Sequence, residues 1–129
     1  MRFRWARLLQ SHQVAVKVGV NAPSHADASK GPESMSVTLI NIFEVPAGDE
    51  DKFIAAWEKT RDYLTTLSAH IETALHQSLH DGRFRFVNIA QWTSEEEFNA
   101  AVSSQGFRES ASELRWPMSP ALYRVVRTG

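Results

Sequence analysis

From Ser36 to Val45 the chain reads SVTLINIFEV, with Val37, Leu39, Phe43 and Val45 on one alternating face and Ile40 and Ile42 on the other. A strand that is β-branched and apolar on both sides is one that expects cover on both sides. Pro46, Ala47 and Gly48 punctuate it. Asp49, Glu50 and Asp51 then suit the positive end of a helix. Phe53, Trp57, Thr60, Leu64 and Leu67 recur at helical spacing, which predicts a helix from about Asp49 to Leu67. In the next segment, HIETALHQSLH, the residues Ile71, Leu75 and Leu79 fit a helix and one face of a strand equally well. The Asp81-Gly82 pair that follows is a favoured two-residue hairpin turn, and RFRFVNIAQW after it reads as a strand. The pair therefore predicts strands near 71–80 and 83–92. Ser94 and Glu97 form a capping box ahead of Phe98, Ala101 and Val102, predicting a second helix that runs past Gly106 toward Leu114. Pro117 and Pro120 end it. Ala121 to Arg127 supplies a last strand, with Leu122 and Val126 on one side and Tyr123 and Val125 on the other.

Strand, helix, strand, strand, helix, strand is the α+β order that packs most simply as a ferredoxin-like, four-stranded antiparallel sheet with two helices on one face. Two helices cover only that face. Leaving Ile40, Ile42 and their neighbours in water forgoes ~1.5 to 3 kcal/mol for each large side chain, so a second copy is expected over the open side, giving a homodimer.

Residues 1–34 differ from the rest. They carry Arg2, Arg4, Arg7, Lys17 and Lys30 against Asp27 and Glu33, and end in NAPSHADASKGP, a run of loop formers. They read as an extension, flexible or in part an added edge strand through Val14, Val16, Val18 and Val20, with the domain proper over 35–129. The chain has 129 residues, 43% of them apolar, which is the composition of one ordinary globular domain. Fourteen basic against fifteen acidic side chains give no field to attract nucleic acid or anionic lipid. The absence of cysteine removes disulfides, zinc–thiolate sites and thiol catalysis. No apolar run approaches the ~20 residues of a membrane span. The first region lacks the continuous apolar stretch of a signal peptide, so a soluble, cytoplasmic protein is expected.

Residues 37–127, about seven-tenths of the chain, resemble the antibiotic biosynthesis monooxygenase family. The resemblance rests on Asn41-Ile42-Phe43-Glu44-Val45-Pro46-Ala47-Gly48, on Phe53 with Trp57, on Leu75-His76-Gln77-Ser78-Leu79, and on Phe86 through Ser94 with Phe98 behind. It implies a dimeric α/β barrel. Among the family's activities, haem degradation is disfavoured, because the positions where that branch carries a Trp and a His hold Ala101 and Ala111. The remaining branch implies hydroxylation of small phenolic, anthrone or quinol substrates by O2 without metal, flavin or haem. A deprotonated substrate of this kind is its own reductant, so the protein has to hold a flat ring, stabilise its oxyanion and exclude water.

Asn41 is the leading candidate for the oxyanion donor, since an amide in an otherwise apolar strand must find a partner. Asn88 carries the same chemistry. Trp57 and Trp92 offer aromatic faces for a substrate ring, and His76 is the imidazole inside the matched strand motif, a base for ionising a phenol. His76 and His80 are ~13 Å apart on a strand, too far to share an ion. Arg83 and Arg85 read as a solvated rim, and Glu95, Glu96 and Glu97 as helix-start charges. The alternative reading is a non-catalytic dimeric binding or structural domain with Phe43, Phe53, Trp57 and Trp92 filling its centre.

Overall fold

In the computed structural model, which describes residues 36–129, the apolar runs resolve into four strands and three helices. They are β1 (Val37–Phe43), α1 (Glu50–Leu64), β2 (His70–Gln77), β3 (Phe86–Trp92), α2 (Glu95–Val102), α3 (Gln105–Ser110) and β4 (Met118–Tyr123). The expected extension over 1–34, with its valine edge strand, lies outside the described residues. The strands form one antiparallel sheet in the order β2–β3–β1–β4, the ferredoxin-like arrangement, with the helices packed on one face. No helix among the described residues is long and apolar enough to cross a membrane.

The alternation along β1 holds. Leu39, Asn41 and Phe43 are buried against the helices, while Thr38, Ile40 and Ile42 lie half-buried on the far side. That outer face is continuous across the sheet, because the register sets Ala74, Ile89, Ile40 and Ala121 on one rung spanning all four strands. Val87 and Ile42 are paired on the next rung.

Four expected features are corrected. The β2–β3 connection is not a two-residue turn: eight residues, 78–85, separate the strands. The Arg85 side chain, only 15% exposed, turns into this loop and donates from Nη1 to the Ser78 carbonyl (2.6 Å), the Ser78 hydroxyl and the His80 carbonyl. Asp81 and Glu50 supply its counter-charges at 3.8 and 3.6 Å. Carbonyls that a tight hairpin would place in the ladder are thus taken by a guanidinium, and Arg85 is a staple for the loop rather than part of a solvated rim. The same arginine reaches the start of α1, where Glu50 also accepts from the Gly48 backbone N–H at 2.8 Å. Bonds from its own and Gly48's backbone, with a smaller pull from Arg85, hold the Glu50 carboxyl below the usual carboxylate range. Gly48 itself takes φ +99°, a conformation that favours glycine.

The predicted second helix is two helices. The Ser94 cap forms, its hydroxyl accepting from the Glu97 N–H at 3.1 Å, but the helix stops at Val102 and a new one starts under a second serine cap, Ser104, which accepts from Phe107 N–H. The last strand begins three residues earlier than expected and ends at Tyr123. Pro120 is tolerated inside it because β4 is an edge strand. The first helix ends at Leu64 rather than Leu67, closed by backbone bonds from the Thr65 N–H to the Arg61 carbonyl and from the Thr66 N–H to the Tyr63 carbonyl.

The kink between α2 and α3 brings α3 onto α1. A β-carbon added at Gly106 would lie 2.5 Å from the Tyr63 ring, whose hydroxyl is hydrogen-bonded to Ser104 at 3.1 Å. Replacing a helical glycine by alanine normally gains up to about 1 kcal/mol. Here displacement of Tyr63 outweighs it, and Gly106→Ala lowers the unfolding free energy by about 1–2 kcal/mol in urea titration. Gly82→Ala, whose β-carbon meets nothing, stays within about 0.5 kcal/mol of the parent.

Candidate functional site

The inner face of the sheet has two apolar regions with a polar rung between them. On one side Leu39, Ala90 and Trp92 pack with Phe98, Val102 and Phe107. On the other, Phe43 and Phe86 pack with Phe53, Leu114 and Met118, and the Phe53 ring lies 4.7 Å from both Phe43 and Phe86. Between them the register sets Asn41 directly opposite Asn88. Both amides point to the helix side by strand alternation and line the same cavity.

Asn41 is 2% exposed. Its Nδ2 donates only to the Met118 thioether at 3.6 Å, and its Oδ1 has no hydrogen-bond partner. Trp92, fully buried, has an unpartnered indole N–H in the wall of the same cavity. An unpaired buried polar group costs about 1–3 kcal/mol. Two around one hollow leave a donor and an acceptor for a polar guest. Turning the Asn41 amide end over presents its NH2 to the guest without moving the chain, in exchange for the weak bond to the Met118 thioether, which only accepts. Asn88 Oδ1 is occupied, accepting from Thr73 Oγ1 at 2.7 Å, so its remaining capacity is the NH2 donor.

Helix α1 closes the cavity with Trp57, Thr60, Arg61 and Leu64, which fall on one helical stripe at i, i+3, i+4 and i+7. Thr60 is spent on the Ser110 carbonyl at 3.1 Å. The Arg61 guanidinium lies 5.5 Å from the Trp57 ring centre and is paired with Asp62. It is the one cation of fixed charge among the lining residues. The cavity is narrow, and its atom-free space, open solvent included, is about 430 Å³.

Asn41, Trp57, Asn88 and Trp92 are thus brought together. His76 is not. Thr73 lines the cavity and Leu75 packs on the inner core, so period two turns His76 to the exposed outer face, opposite Val87. The imidazole that does line the cavity is His70, placed there by a register shift between His70 and Glu72 and set edge-on to the Trp92 ring at 5.1 Å. Burial holds its pKa below the ordinary histidine value, and hydrogen bonding with its own backbone only partly opposes this. Sequence periodicity passes over His70 because a bulge has no apolar signature; Arg61, four residues after Trp57, was open to a stripe argument. Ala101 and Ala111, the positions weighed for haem, are buried in the Trp92 region.

Residues 36–112 match the family described as antibiotic biosynthesis monooxygenase. No curated protein sequence gives a significant match. Among solved structures, a proposed monooxygenase from Shewanella loihica is 39% identical, with 73% of this chain and 97% of that one covered and a TM-score of 0.65. SnoaB, a cofactor-independent oxygenase from Streptomyces nogalater, is 26% identical over 73% of this chain and 96% of its own, with a TM-score of 0.66. A proposed antibiotic biosynthesis monooxygenase from Chloroflexus aurantiacus, 16% identical over 73% and 97% of the two chains with a TM-score of 0.55, shares the fold.

The His70 environment has a consequence for stability. Its folded form binds a proton less readily than the unfolded chain, so its contribution is complete above the ordinary value of 6.5 and is withdrawn as pH falls through that value toward the lower folded one. His70→Gln accordingly flattens the fall of unfolding free energy between about pH 7 and pH 5, measured by urea titration at several pH values.

Proposed function

The chain belongs to the antibiotic biosynthesis monooxygenase family, and on that premise we propose that it is a homodimeric, cofactor-independent monooxygenase of small phenolic, anthrone or quinol substrates. The observation that carries this reading is the buried Asn41 amide, unsatisfied at its oxygen, on the same cavity as Asn88 and the unpartnered indole N–H of Trp92. The substrate ring lies against Trp57 and Trp92, and its oxygen meets the amide donors of Asn41 and Asn88. As the ring ionises, those donors gain strength against the growing negative charge. The carbanion form then supplies electrons to O2. For a methylene flanked by aryl groups the balance is CH2 + O2 → C=O + H2O: two C–H bonds break, one oxygen atom stays on carbon, and the other leaves as water with both hydrogens. All four electrons come from the substrate. The apolar walls, Leu39 and Phe107 among them, keep bulk water from quenching the anion.

The second subunit covers the outer rung of Ala74, Ile89, Ile40 and Ala121, which otherwise stands in water. A binding domain without turnover is the second reading, favoured by how little of Asn41 is reachable from outside, at 2% exposed.

Oxygen uptake on a panel of anthrones and hydroquinones separates the two readings: turnover by the wild type supports the first, and none across the panel leaves the second. Asn41→Leu should lower kcat by roughly 10²- to 10³-fold, the scale for one oxyanion donor, with the circular dichroism spectrum retained. For the assembly, light scattering at micromolar concentration should return about twice the chain mass of 14.5 kDa, and Ile40→Lys should halve it.

A further inference from the structure

We propose that His70 is the proton acceptor of the reaction, a catalytic residue that takes the proton from a substrate hydroxyl at the end of the cavity away from Asn41. This rests on the oxygenase reading. Three independent features place it. His70 is the only imidazole among the residues lining the cavity. The sheet departs from regular pairing at this residue: His70 is opposite Trp92, but the next partnered residue is Glu72 opposite Gln91, so Ile71 is bulged out and 53% exposed. A regular strand continuing the inward alternation of Leu75 and Thr73 would point Ile71 into the cavity and His70 out. The bulge exchanges them, a large apolar side chain going to the surface and an imidazole to the interior, and bulges are features that re-aim side chains beside functional sites. Finally, the residue is held at both ends: the His70 N–H donates to the Leu67 carbonyl at 3.1 Å, and the ring stands edge-on to Trp92.

The chemistry follows from what faces the ring. From α1 the charged group on the cavity is Arg61; β1 and β3 present the neutral Asn41, Asn88 and Trp92, and α3 presents Phe107. No carboxylate lines the cavity to hold the imidazole as a cation, and burial favours its neutral form. A neutral imidazole carries the lone pair that a base needs. In the step assigned here the substrate O–H bond breaks, an N–H bond forms on His70, and the electron pair stays on the substrate, where conjugation through the ring carries the negative charge to the oxygen that meets Asn41 and Asn88. The proton returns when the peroxide formed with O2 collapses and leaves with the water. Along β3 the partners of His70 and Asn41 are four residues apart, about 13 Å, and the two side chains stand on strands separated by β3, so base and amide meet opposite ends of one substrate.

The test uses the full-length chain and whichever anthrone or hydroquinone the wild type oxidises fastest, with initial oxygen uptake followed from about pH 5 to pH 9. His70→Gln should lose roughly 10²- to 10⁴-fold in kcat near pH 7, the range for a general base, with KM changed less than threefold. The loss should shrink as pH passes the substrate's own pKa, because a substrate ionised in solution needs no base. His76→Gln, on the outer face, should match the wild type. Should the His70 variant fail to fold, the wild type alone decides. The acid limb of its kcat/KM profile must coincide with the His70 titration read by NMR, and must lie below 6.5. A His70 variant with wild-type rate, a loss equal at every pH, or an acid limb that departs from the His70 titration overturns the assignment while leaving the oxygenase reading standing. No turnover by the wild type on any panel member overturns both.

Discussion

An amide rung laid across the middle of an otherwise apolar sheet face is the constraint on which the rest of this structure depends. Asn41 and Asn88 stand opposite each other with Leu39, Ala90 and Trp92 to one side and Phe43 and Phe86 to the other. Apolar side chains at both positions would let the two packed regions fuse into one core, and the hollow would close. With amides there, the aromatic stack around Phe53 and the cage around Trp92 and Phe98 each pack tightly on their own, and the gap between them stays polar. The Asn41 amide, its oxygen without a partner at 2% exposure, carries a desolvation cost that binding of a polar guest would relieve.

The secondary elements hold this gap at fixed width. Helix α1 contributes to both packed regions, with Phe53 and Ala56 in one and Tyr63 and Leu64 against the other, so it bridges the gap like a beam and sets Trp57, Arg61 and Leu64 over it. At the start of that helix the Trp116 indole donates to Asp49 at 3.1 Å, and Glu50 ties to Gly48 and to Arg85. At its far end Tyr63 rests against Gly106 and Ser104. The beam is therefore fastened at both ends by segments from the second half of the chain.

How much of this could be read from residues alone differs by element for physical reasons. Strands β1 and β3 were legible because their inner and outer faces are both apolar, and Asn41 stood out because it breaks that pattern. Trp57 and Trp92 were legible as large rings in such elements. The β2–β3 connection departs from the expected turn because Asp81-Gly82 is a local signal, and the long-reaching Arg85 side chain, which claims the carbonyls of Ser78 and His80, is not. The break in the second helix hinged on Ser104 acting as a cap, which its neighbours Ser103 and Gly106 disguised as a simple interruption. His76 stands inside the matched strand motif, whereas His70 precedes the expected strand, and a strict period of two has no place for the bulge that turns His70 inward. The expectations that fell on residues 1–34 concern a segment outside the described residues.

The two borders of the sheet show a further economy. On the β4 side the central residue opposite Asn41 is Pro120, which has no N–H to offer a newcomer; on the β2 side the ladder is broken at Ile71 by the irregular step between His70 and Glu72. Exposed strand margins are where one polypeptide templates the next into fibres, and a missing donor or a local kink spoils the template. Among the described residues both margins are spoiled, each by different means, so addition of a further strand is hindered at either end of the sheet.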